Sequence, residues 1–397
     1  MRFYLDHAAT SPLRPEAREA WLAATDVIGN ASSTHGAGQD ARRVLEESRE
    51  RAAAALGCEP IEVVFTSGGT ESINTALHGL WRSRGAGTDA VVLPDGEHHA
   101  TMDTVAALAE DGADVRAVPL DPTGRIPVER FAVALSEGGA PAALATALAA
   151  NNEVGTVNDS AGLAAAASEA GVPFHLDAVA AWGHVPLSFR SLRGDASPGA
   201  GLVAMTVAGH KLGAPVGIGA LVVARTARLA PLLHGGAQQR GLRAGTQDVA
   251  GAAAFAVALE LAEAERVAEA ARLTGLRDRL ISGIRTAVPR AELLGDPADR
   301  LPGNAHVLFP GAVGESLLFL LDMGGIAAST GSACQAGVAE PSHVVLALGR
   351  SEQEARSVLR FSLGRTSTLA DVDAVLAVIA DAYARASGSR SALRAAD

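Results

Sequence analysis

The chain has 397 residues, of which 48% are hydrophobic and 19% charged, a composition typical of a globular protein with room for about two domains. Its formal net charge of −11, with no basic run interleaved with aromatics, argues against nucleic-acid binding, which needs clustered Lys and Arg. Two cysteines are too few for a disulfide framework, and we find neither a signal-like N-terminus nor an apolar run of about 18 residues, so we expect a cytoplasmic protein that does not enter a membrane.

The first long element is a helical pattern over residues 37–57, which ends at Gly57 as helices often end at glycine. Residues 61–66 form a β-branched and aromatic run that predicts a strand. Two glycines follow, and a helix is predicted from there to about Leu80.

Strands and helices then alternate. Strands are predicted at 90–93, 115–119, 144–149, 173–177, 202–207 and 218–223, and helices at 100–110, 128–135 and 162–170. Short apolar strands that alternate with helices predict a mostly parallel sheet covered on both faces. A helix or helix pair over 252–287 and a smaller α+β unit complete the chain.

The segment Phe65–Ser72 is a candidate phosphate site. A strand ends, Gly68 and Gly69 follow, and a helix opens, so free N–H groups and the Thr70 hydroxyl would suit a phosphate. The Gly-Lys-Ser/Thr ending of a Walker A loop is absent. Taken alone, the segment is equally a plain strand-to-helix turn.

Two further residues lie where α/β folds place ligands. Asp177 ends a predicted strand, where a carboxylate could keep a pyridine nitrogen protonated, although it could also be a helix or turn cap. Lys211 follows a later strand among small residues, where partial desolvation would make its amine nucleophilic, although most lysines are simply exposed. A phosphate loop, a strand-end Asp and a later Lys occur in the order of the aspartate-aminotransferase-like, pyridoxal-phosphate (PLP) fold type I. We therefore expect an α/β fold of this type, with a large domain built on a mostly parallel mixed sheet and a small α+β domain.

The thiol of Cys334 is a separate candidate for chemistry. It sits in a small, polar, glycine-bearing stretch, Ser329–Gly337, that favours an accessible loop, where a positive neighbour could make the thiol reactive. An idle surface thiol is the other interpretation. Cys58, beside Gly57, is expected to have no chemical role.

Together these segments resemble the NifS/IscS-type cysteine desulfurases of the class-V aminotransferase group. The resemblance runs from Tyr4 to about Thr366, and the stretch around Cys334 is similar to the branch with a long cysteine loop. It is carried by the motifs at 4–10, 29–35, 65–71, 97–99, 151–155, 209–211, 331–334 and 360–365.

The resemblance implies roles for the cofactor site. Lys211 would bind PLP covalently and move the Cα proton, Asp177 would pair with the pyridine nitrogen, and His98 would stack on the ring and act as an acid or base. Asn152 would hydrogen-bond the ring oxygen. The phosphate would be held by Gly69, Thr70 and His210, with Thr246 reaching in from a partner subunit of a homodimer.

The resemblance also implies how the substrate is handled. Arg360 and Asn30 would bind L-cysteine, and the Cys334 thiolate would attack its sulfur. L-Alanine would leave, and a persulfide on Cys334 would pass sulfur to an acceptor protein for iron–sulfur cluster assembly or another pathway that the sequence does not identify. No metal is implied. The large PLP-binding domain would span 15–255, and 1–14 with 256–397 would form the small domain carrying the loop at about 325–340.

Three positions depart from the family pattern. Ala180 replaces a glutamine that hydrogen-bonds the ring oxygen, and Ala208 and Ala244 replace serines at or near the phosphate. The losses predict weaker cofactor binding or a changed substrate. Two other hypotheses stay open. One is a related PLP-dependent C–S or C–Se lyase that acts on a modified or pathway-specific amino acid, for which pyruvate and ammonia in place of alanine would indicate elimination. The other is an inactive scaffold that binds no cofactor.

Overall fold

A computed structural model describes residues 2–139, 141–331 and 340–388. The N-terminal part comprises β1 (Phe3–Tyr4), α1 (Pro15–Thr25) and α2 (Gly36–Leu56). As predicted, α2 ends at Gly57, which has a left-handed φ of +66° that favours glycine. The helix α1 was not predicted.

Alternating strands and helices follow in the order predicted, apart from the short helix Phe189–Arg193, which was not predicted. They are β2 (Val63–Thr66), α3 (Gly69–Arg82), β3 (Ala90–Pro94), α4 (His99–Glu110), β4 (Asp114–Val118), α5 (Val128–Leu135), β5 (Leu144–Leu148), α6 (Ser160–Glu169), β6 (Pro173–Asp177), α7 (Phe189–Arg193), β7 (Gly201–Ala208) and β8 (Gly219–Val223). The strand predicted from residue 61 begins at Val63, because Pro60–Glu62 forms a 3₁₀ turn in which the Glu62 carboxylate accepts from the Glu59 N–H.

Seven of these strands form one mixed sheet, in the order β2-β8-β7-β6-β5-β3-β4. The strand β8 is antiparallel to both of its neighbours, β2 and β7, and the other neighbouring pairs are parallel. Every residue of β5, β7 and β8 is buried, as expected for strands covered on both faces. The mostly parallel α/β architecture expected from the sequence is confirmed.

The C-terminal part begins with one continuous helix of 39 residues, α8 (Val249–Ala287). Its remaining elements are β9 (Glu292–Leu294), β10 (Asn304–Leu308), α9 (Gly314–Met323), β11 (Ile326–Ala327), α10 (His343–Ala347), α11 (Glu352–Ala355), β12 (Val358–Ser362) and α12 (Leu369–Ala386). The order β12-β10-β9 makes a small antiparallel sheet, and β1 pairs with β11.

Two separate hydrophobic clusters share α8. Phe255 and Leu259 near its start belong to the core under the large sheet, whereas Leu273 and Leu280 pack with β10, β12 and α12. The helix therefore crosses the predicted boundary at residue 255 without a break. The division into two domains stays a prediction. Within the described part of the chain, no helix is long and apolar enough to cross a membrane.

Candidate active site

A cleft of about 310 Å³ lies where the strands of the large sheet end and β12 faces them. The carboxyl ends of β6 and β7 meet there, which is where open α/β sheets bind ligands. The cleft is lined by Ala8, Ala9, Gly69, Thr70, Ile73, His98, Leu148, Asn152, Asp177, Val179, Ala180, Ala208, His210, Lys211, Gly331 and Arg360.

The candidate phosphate loop opens into this cleft at the first turn of α3. The loop is fixed by a 2.7 Å hydrogen bond between the hydroxyls of Thr66 and Ser72, and by the Ser67 N–H, which donates to Glu71 across 2.7 Å. A Cβ at Gly69 would come within 3.0 Å of a Val179 methyl group, so glycine keeps the helix start close to the cleft wall. The N–H groups of a helix N-terminus suit an anion.

Lys211 ends a 3₁₀ turn, Gly209–Lys211, directly after β7. The turn packs tightly, because a Cβ at Gly209 would lie 2.9 Å from the Ile218 carbonyl oxygen. Lys211 lines the cleft and also two smaller cavities that it shares with His7 and His184. Its amine therefore sits in partly enclosed surroundings rather than on the open surface.

Asp177 is only 2% exposed at the end of β6. One carboxylate oxygen accepts from the Val179 N–H across 2.8 Å. Burial raises the pKa of Asp177 to about 6, although this N–H and the nearby Lys211 lower it. A buried carboxylate of this kind is stabilised by a cation at the cleft, such as a protonated pyridine nitrogen.

His98 is the N-cap of α4, and its Nδ1 accepts from the Ala100 N–H across 3.1 Å. That bond assigns the proton of the neutral ring to Nε2. Burial lowers the pKa of His98 to about 4, and the nearby Lys211, His99, His343 and Arg360 lower it further. The imidazole is therefore neutral at neutral pH, and its Nε2–H is available as a donor towards the cleft.

Arg360 projects from β12 at the other wall. Its Nη1 donates to the Asn152 carbonyl oxygen and its Nη2 to the Asp6 carboxylate, both across 2.9 Å, and its side chain is 5% exposed. Asn152, on the β5 side, lines the cleft next to this contact. A fixed, planar guanidinium can bind a carboxylate through two parallel hydrogen bonds.

These residues fit a phosphorylated pyridine aldehyde. The Lys211 amine could form a covalent bond with the aldehyde, and the buried Asp177 carboxylate could pair with a cationic ring nitrogen. The N–H groups at the start of α3 could donate to the phosphate. The cleft volume lies at the lower end of the usual range for small-molecule sites. Among residues 2–139, 141–331 and 340–388, no group of His, Cys, Asp or Glu is arranged to hold a metal ion.

Two predicted site residues are not part of this cleft, and a third cannot be placed. Asn30 and Thr246 are exposed and do not line the cleft of this chain. The substrate contact expected of Asn30 therefore stays a prediction, and Thr246 was expected to act on a partner's site. Cys334 lies outside the described residues. Of the three departures, Ala180 and Ala208 line the cleft, and Ala244 is buried elsewhere.

Sequence reasoning assigned no role to three carboxylates at this site. Asp6 holds Arg360, and Glu153, beside Asn152, is buried. Glu97, next to His98, accepts from the Leu148 N–H across 2.8 Å, and its other oxygen has no hydrogen-bond partner. Burial, reinforced by the charge of Asp177, raises the pKa of Glu97 to about 8. All three carboxylates lie in the family motifs at 4–10, 97–99 and 151–155, and this position was the sequence feature that could have identified them.

Comparison with known proteins identifies relatives over nearly the whole length. The family model described as Aminotransferase class-V matches residues 3–375. An IscS-like cysteine desulfurase from Mycobacterium tuberculosis is 47% identical over 398 residues, 99% of this chain and 98% of that protein. The solved structure of a NifS-like protein superimposes with a TM-score of 0.87 at 30% identity, covering 96% of this chain and 99% of the other. The structure of SspA, solved in complex with cysteine, superimposes with a TM-score of 0.78 at 29% identity, covering 91% of this chain and 98% of the other.

Proposed function

Because the chain belongs to the class-V aminotransferase family, we infer that it is a PLP-dependent cysteine desulfurase. It converts L-cysteine into L-alanine and passes the sulfur through Cys334 to an acceptor. The observation that carries this function is one cleft lined by Lys211, Asp177, His98 and Arg360. Lys211 would form the covalent bond and Asp177 would pair with the ring nitrogen. His98 would transfer a proton, and Arg360 would bind the substrate carboxylate.

Each side chain has a defined task in this proposal. PLP, when bound, supplies an electron sink for the charge that develops on the substrate carbons. Lys211 would hold it covalently, and the Lys211 amine would take the Cα proton of the substrate. Asp177 pairs with the ring nitrogen, which removes the cost of its burial. The first turn of α3, Thr70 and His210 bind the phosphate, and Asn152 faces the ring oxygen.

The substrate is placed by Arg360, whose orientation is set by Asp6 and by the Asn152 carbonyl oxygen. A rigid, two-pronged donor selects an α-carboxylate and fixes the amino acid in the cleft. The solved structure of SspA with cysteine supports L-cysteine as the substrate. His98, neutral and with Nδ1 engaged by the Ala100 N–H, would stack on the ring and would exchange a proton through Nε2.

The reaction balances without an external oxidant or reductant. The Cys334 thiolate attacks the sulfur of L-cysteine, an S–S bond forms and the Cβ–S bond breaks. The electron pair left on Cβ takes up a proton, so the products are L-alanine and a persulfide on Cys334. A carrier or scaffold protein, such as one for iron–sulfur clusters, then accepts the sulfur in the cytoplasm. The enzyme is a homodimer in this proposal, with Thr246 serving the partner's phosphate site.

Product analysis tests this function. The protein reconstituted with PLP is incubated with L-cysteine and a thiol reductant, and alanine, sulfide, pyruvate and ammonia are quantified. We expect alanine and sulfide in equal amounts, and the Cys334→Ser variant is expected to release neither. Pyruvate and ammonia in place of alanine would instead indicate an elimination lyase.

A further inference from the structure

Gly331 and Glu340 lie on either side of the segment that contains Cys334. We propose that Glu153 is a positioning residue that anchors both flanks of this segment at the wall of the cleft. The inference rests on the proposed function for the role of Cys334. The contacts that carry it lie wholly within the described residues.

The leading flank is fixed to the strand that carries Arg360. Ser329 and Arg360 exchange backbone hydrogen bonds of 3.1 and 2.6 Å, and the Gly331 N–H donates to the Ser329 hydroxyl across 3.1 Å. Ser329 is 2% exposed. Gly331 itself lines the cleft, three residues before Cys334. The chain therefore leaves the cleft wall from a fixed position.

Gly331 lies directly against Glu153. A Cβ at this glycine would lie 2.8 Å from a Glu153 carboxylate oxygen and 3.0 Å from the His306 ring. Its φ of +89° is also one that other residues rarely adopt. Both constraints require glycine here, and they place the leading flank in contact with the carboxylate.

The trailing flank returns to the same carboxylate. The Ser342 hydroxyl, fully buried, donates to Glu153 across 2.5 Å and accepts from the Val345 N–H across 3.1 Å. His343 adds a second attachment through a 2.9 Å hydrogen bond from its ring to the Glu97 carbonyl oxygen. Glu97 directly precedes His98, so this flank also ends beside a cleft residue.

Glu153 is itself held rigidly. Its N–H donates to the Asn151 side chain across 2.9 Å, and its carbonyl oxygen accepts from the Asn304 side chain across 3.0 Å. It is 2% exposed and directly follows Asn152, whose carbonyl oxygen binds Arg360. One side chain on the substrate-binding wall thus sets the spacing of the two flanks.

A fixed spacing of the two flanks would raise the effective concentration of Cys334 at the substrate sulfur, since both attachment points of the segment that contains it are then held at the cleft wall. Removing the anchor should slow sulfur transfer to Cys334 and leave binding of L-cysteine nearly unchanged. Losing a hydrogen bond to a charged group predicts a decrease of about tenfold or more in that rate.

The variants are Glu153→Ala, Glu153→Gln and Ser342→Ala. Glutamine keeps the shape and an acceptor for the Ser342 hydroxyl, so it should recover most of the rate lost in Glu153→Ala. The matched control is Ser357→Ala, which removes a buried hydroxyl bonded to the Gln353 carbonyl oxygen across 2.8 Å, away from the cleft. The control is expected to keep the wild-type rate.

Two measurements on the PLP-loaded full chain separate the possible outcomes. Hydrogen exchange over 341–348 should accelerate about threefold or more in both Ser342→Ala and Glu153→Ala. Over 326–331 it should accelerate only in Glu153→Ala, because Ser342→Ala leaves the carboxylate beside Gly331 in place, and the control should change neither segment. The rate of sulfur gain on the Cys334 peptide should fall about tenfold, with the KM for L-cysteine within about twofold of wild type.

Unchanged hydrogen exchange would overturn the anchor. Faster exchange with an unchanged rate of sulfur gain would overturn the positioning role. If wild-type protein gained no sulfur at Cys334 while exchange accelerated in the variants, the anchor would stand and the proposed function would fail.

Discussion

The Arg360 guanidinium donates to the Asp6 carboxylate across 2.9 Å, so the N-terminal segment orients the residue expected to bind the substrate. A second bond, to the Asn152 carbonyl oxygen, fixes the plane of the group. The Nε–H is buried and has no partner. Because the guanidinium is already oriented, it does not have to rearrange when a carboxylate binds, and this preorganisation favours binding.

The Arg360→Lys variant should therefore bind L-cysteine poorly although it keeps the positive charge. An ammonium cannot bond Asp6 and the Asn152 carbonyl oxygen and still present two parallel donors. Losing one charge-assisted hydrogen bond costs about 1.5–3 kcal/mol, which predicts a rise of about 10–100-fold in KM. Steady-state kinetics measures this rise, with Arg279→Lys as the control, since Arg279 forms an exposed ion pair with Asp373. A KM for Arg360→Lys within threefold of wild type would contradict the role.

Asp177 should destabilise the cofactor-free protein above pH 6. Because burial raises the pKa of its folded form to about 6 from 3.8, the folded state favours the protonated acid. The contribution of Asp177 to the free energy of unfolding is fully present below pH 3.8, the pKa in the unfolded chain, and is lost as the pH rises through about 6, the pKa in the folded protein. Above that the charged carboxylate costs about 3 kcal/mol. The cofactor-free Asp177→Asn variant should thus be more stable than wild type at pH 7 and no different near pH 4.

Urea unfolding of both cofactor-free proteins at the two pH values measures this difference. The same substitution should weaken PLP binding, since the ring nitrogen loses its anionic partner. A variant less stable than wild type at pH 7 would show that Asp177 is not an uncompensated charge in the empty cleft.

Restoring an amide at position 180 should tighten cofactor binding. Ala180 lines both the main cleft and an adjoining cavity of about 40 Å³, so a longer side chain has space. One regained hydrogen bond is worth about 0.5–1.5 kcal/mol, so Ala180→Gln should lower the Kd for PLP by about two- to tenfold. Ala180→Met fills the same space without the amide and should not. Equal gains in both variants would attribute the effect to packing alone.

The His98→Phe variant should distinguish a role of His98 in stacking on the cofactor from a role in proton transfer. Phenylalanine keeps a flat ring beside the cofactor but carries no exchangeable proton, so PLP affinity should change little while kcat falls about 10²–10⁴-fold. Equilibrium dialysis of PLP and single-turnover kinetics measure the two quantities. A kcat within fivefold of wild type would restrict His98 to a stacking role.

The sequence was sufficient for most of the large sheet and for the cleft residues at its strand ends. Fully apolar strands such as β8 are recognisable by their length and flanking glycines, and parallel strands must bring their carboxyl ends to one edge. Asp177 and Lys211 were therefore predictable as neighbours. The helix α12 was missed although Thr368 and Asp371 form a capping box and apolar residues recur with helical spacing from Val372.

Other features depend on tertiary contacts that local pattern does not encode. Asp6 and Arg360 are separated by most of the chain, and nothing near either residue specifies the other. The contact of Ser342 with Glu153 likewise joins distant segments. The substrate contact expected of Asn30 rests on the family resemblance at that position alone and stays a prediction. In this chain the Asn30 side chain accepts from the Ser32 N–H on the exposed surface.

The central claim is that Cys334 receives the sulfur of L-cysteine. The most direct measurement incubates the PLP-loaded protein with one equivalent of L-cysteine, without reductant, and determines peptide masses together with alanine. Cys58 is an internal control, because it is buried and burial raises its pKa to about 12. We predict one added sulfur on the Cys334 peptide, none on the Cys58 peptide, and alanine in equal amount. Alanine with no sulfur on Cys334, or no alanine from PLP-loaded protein, would contradict the account.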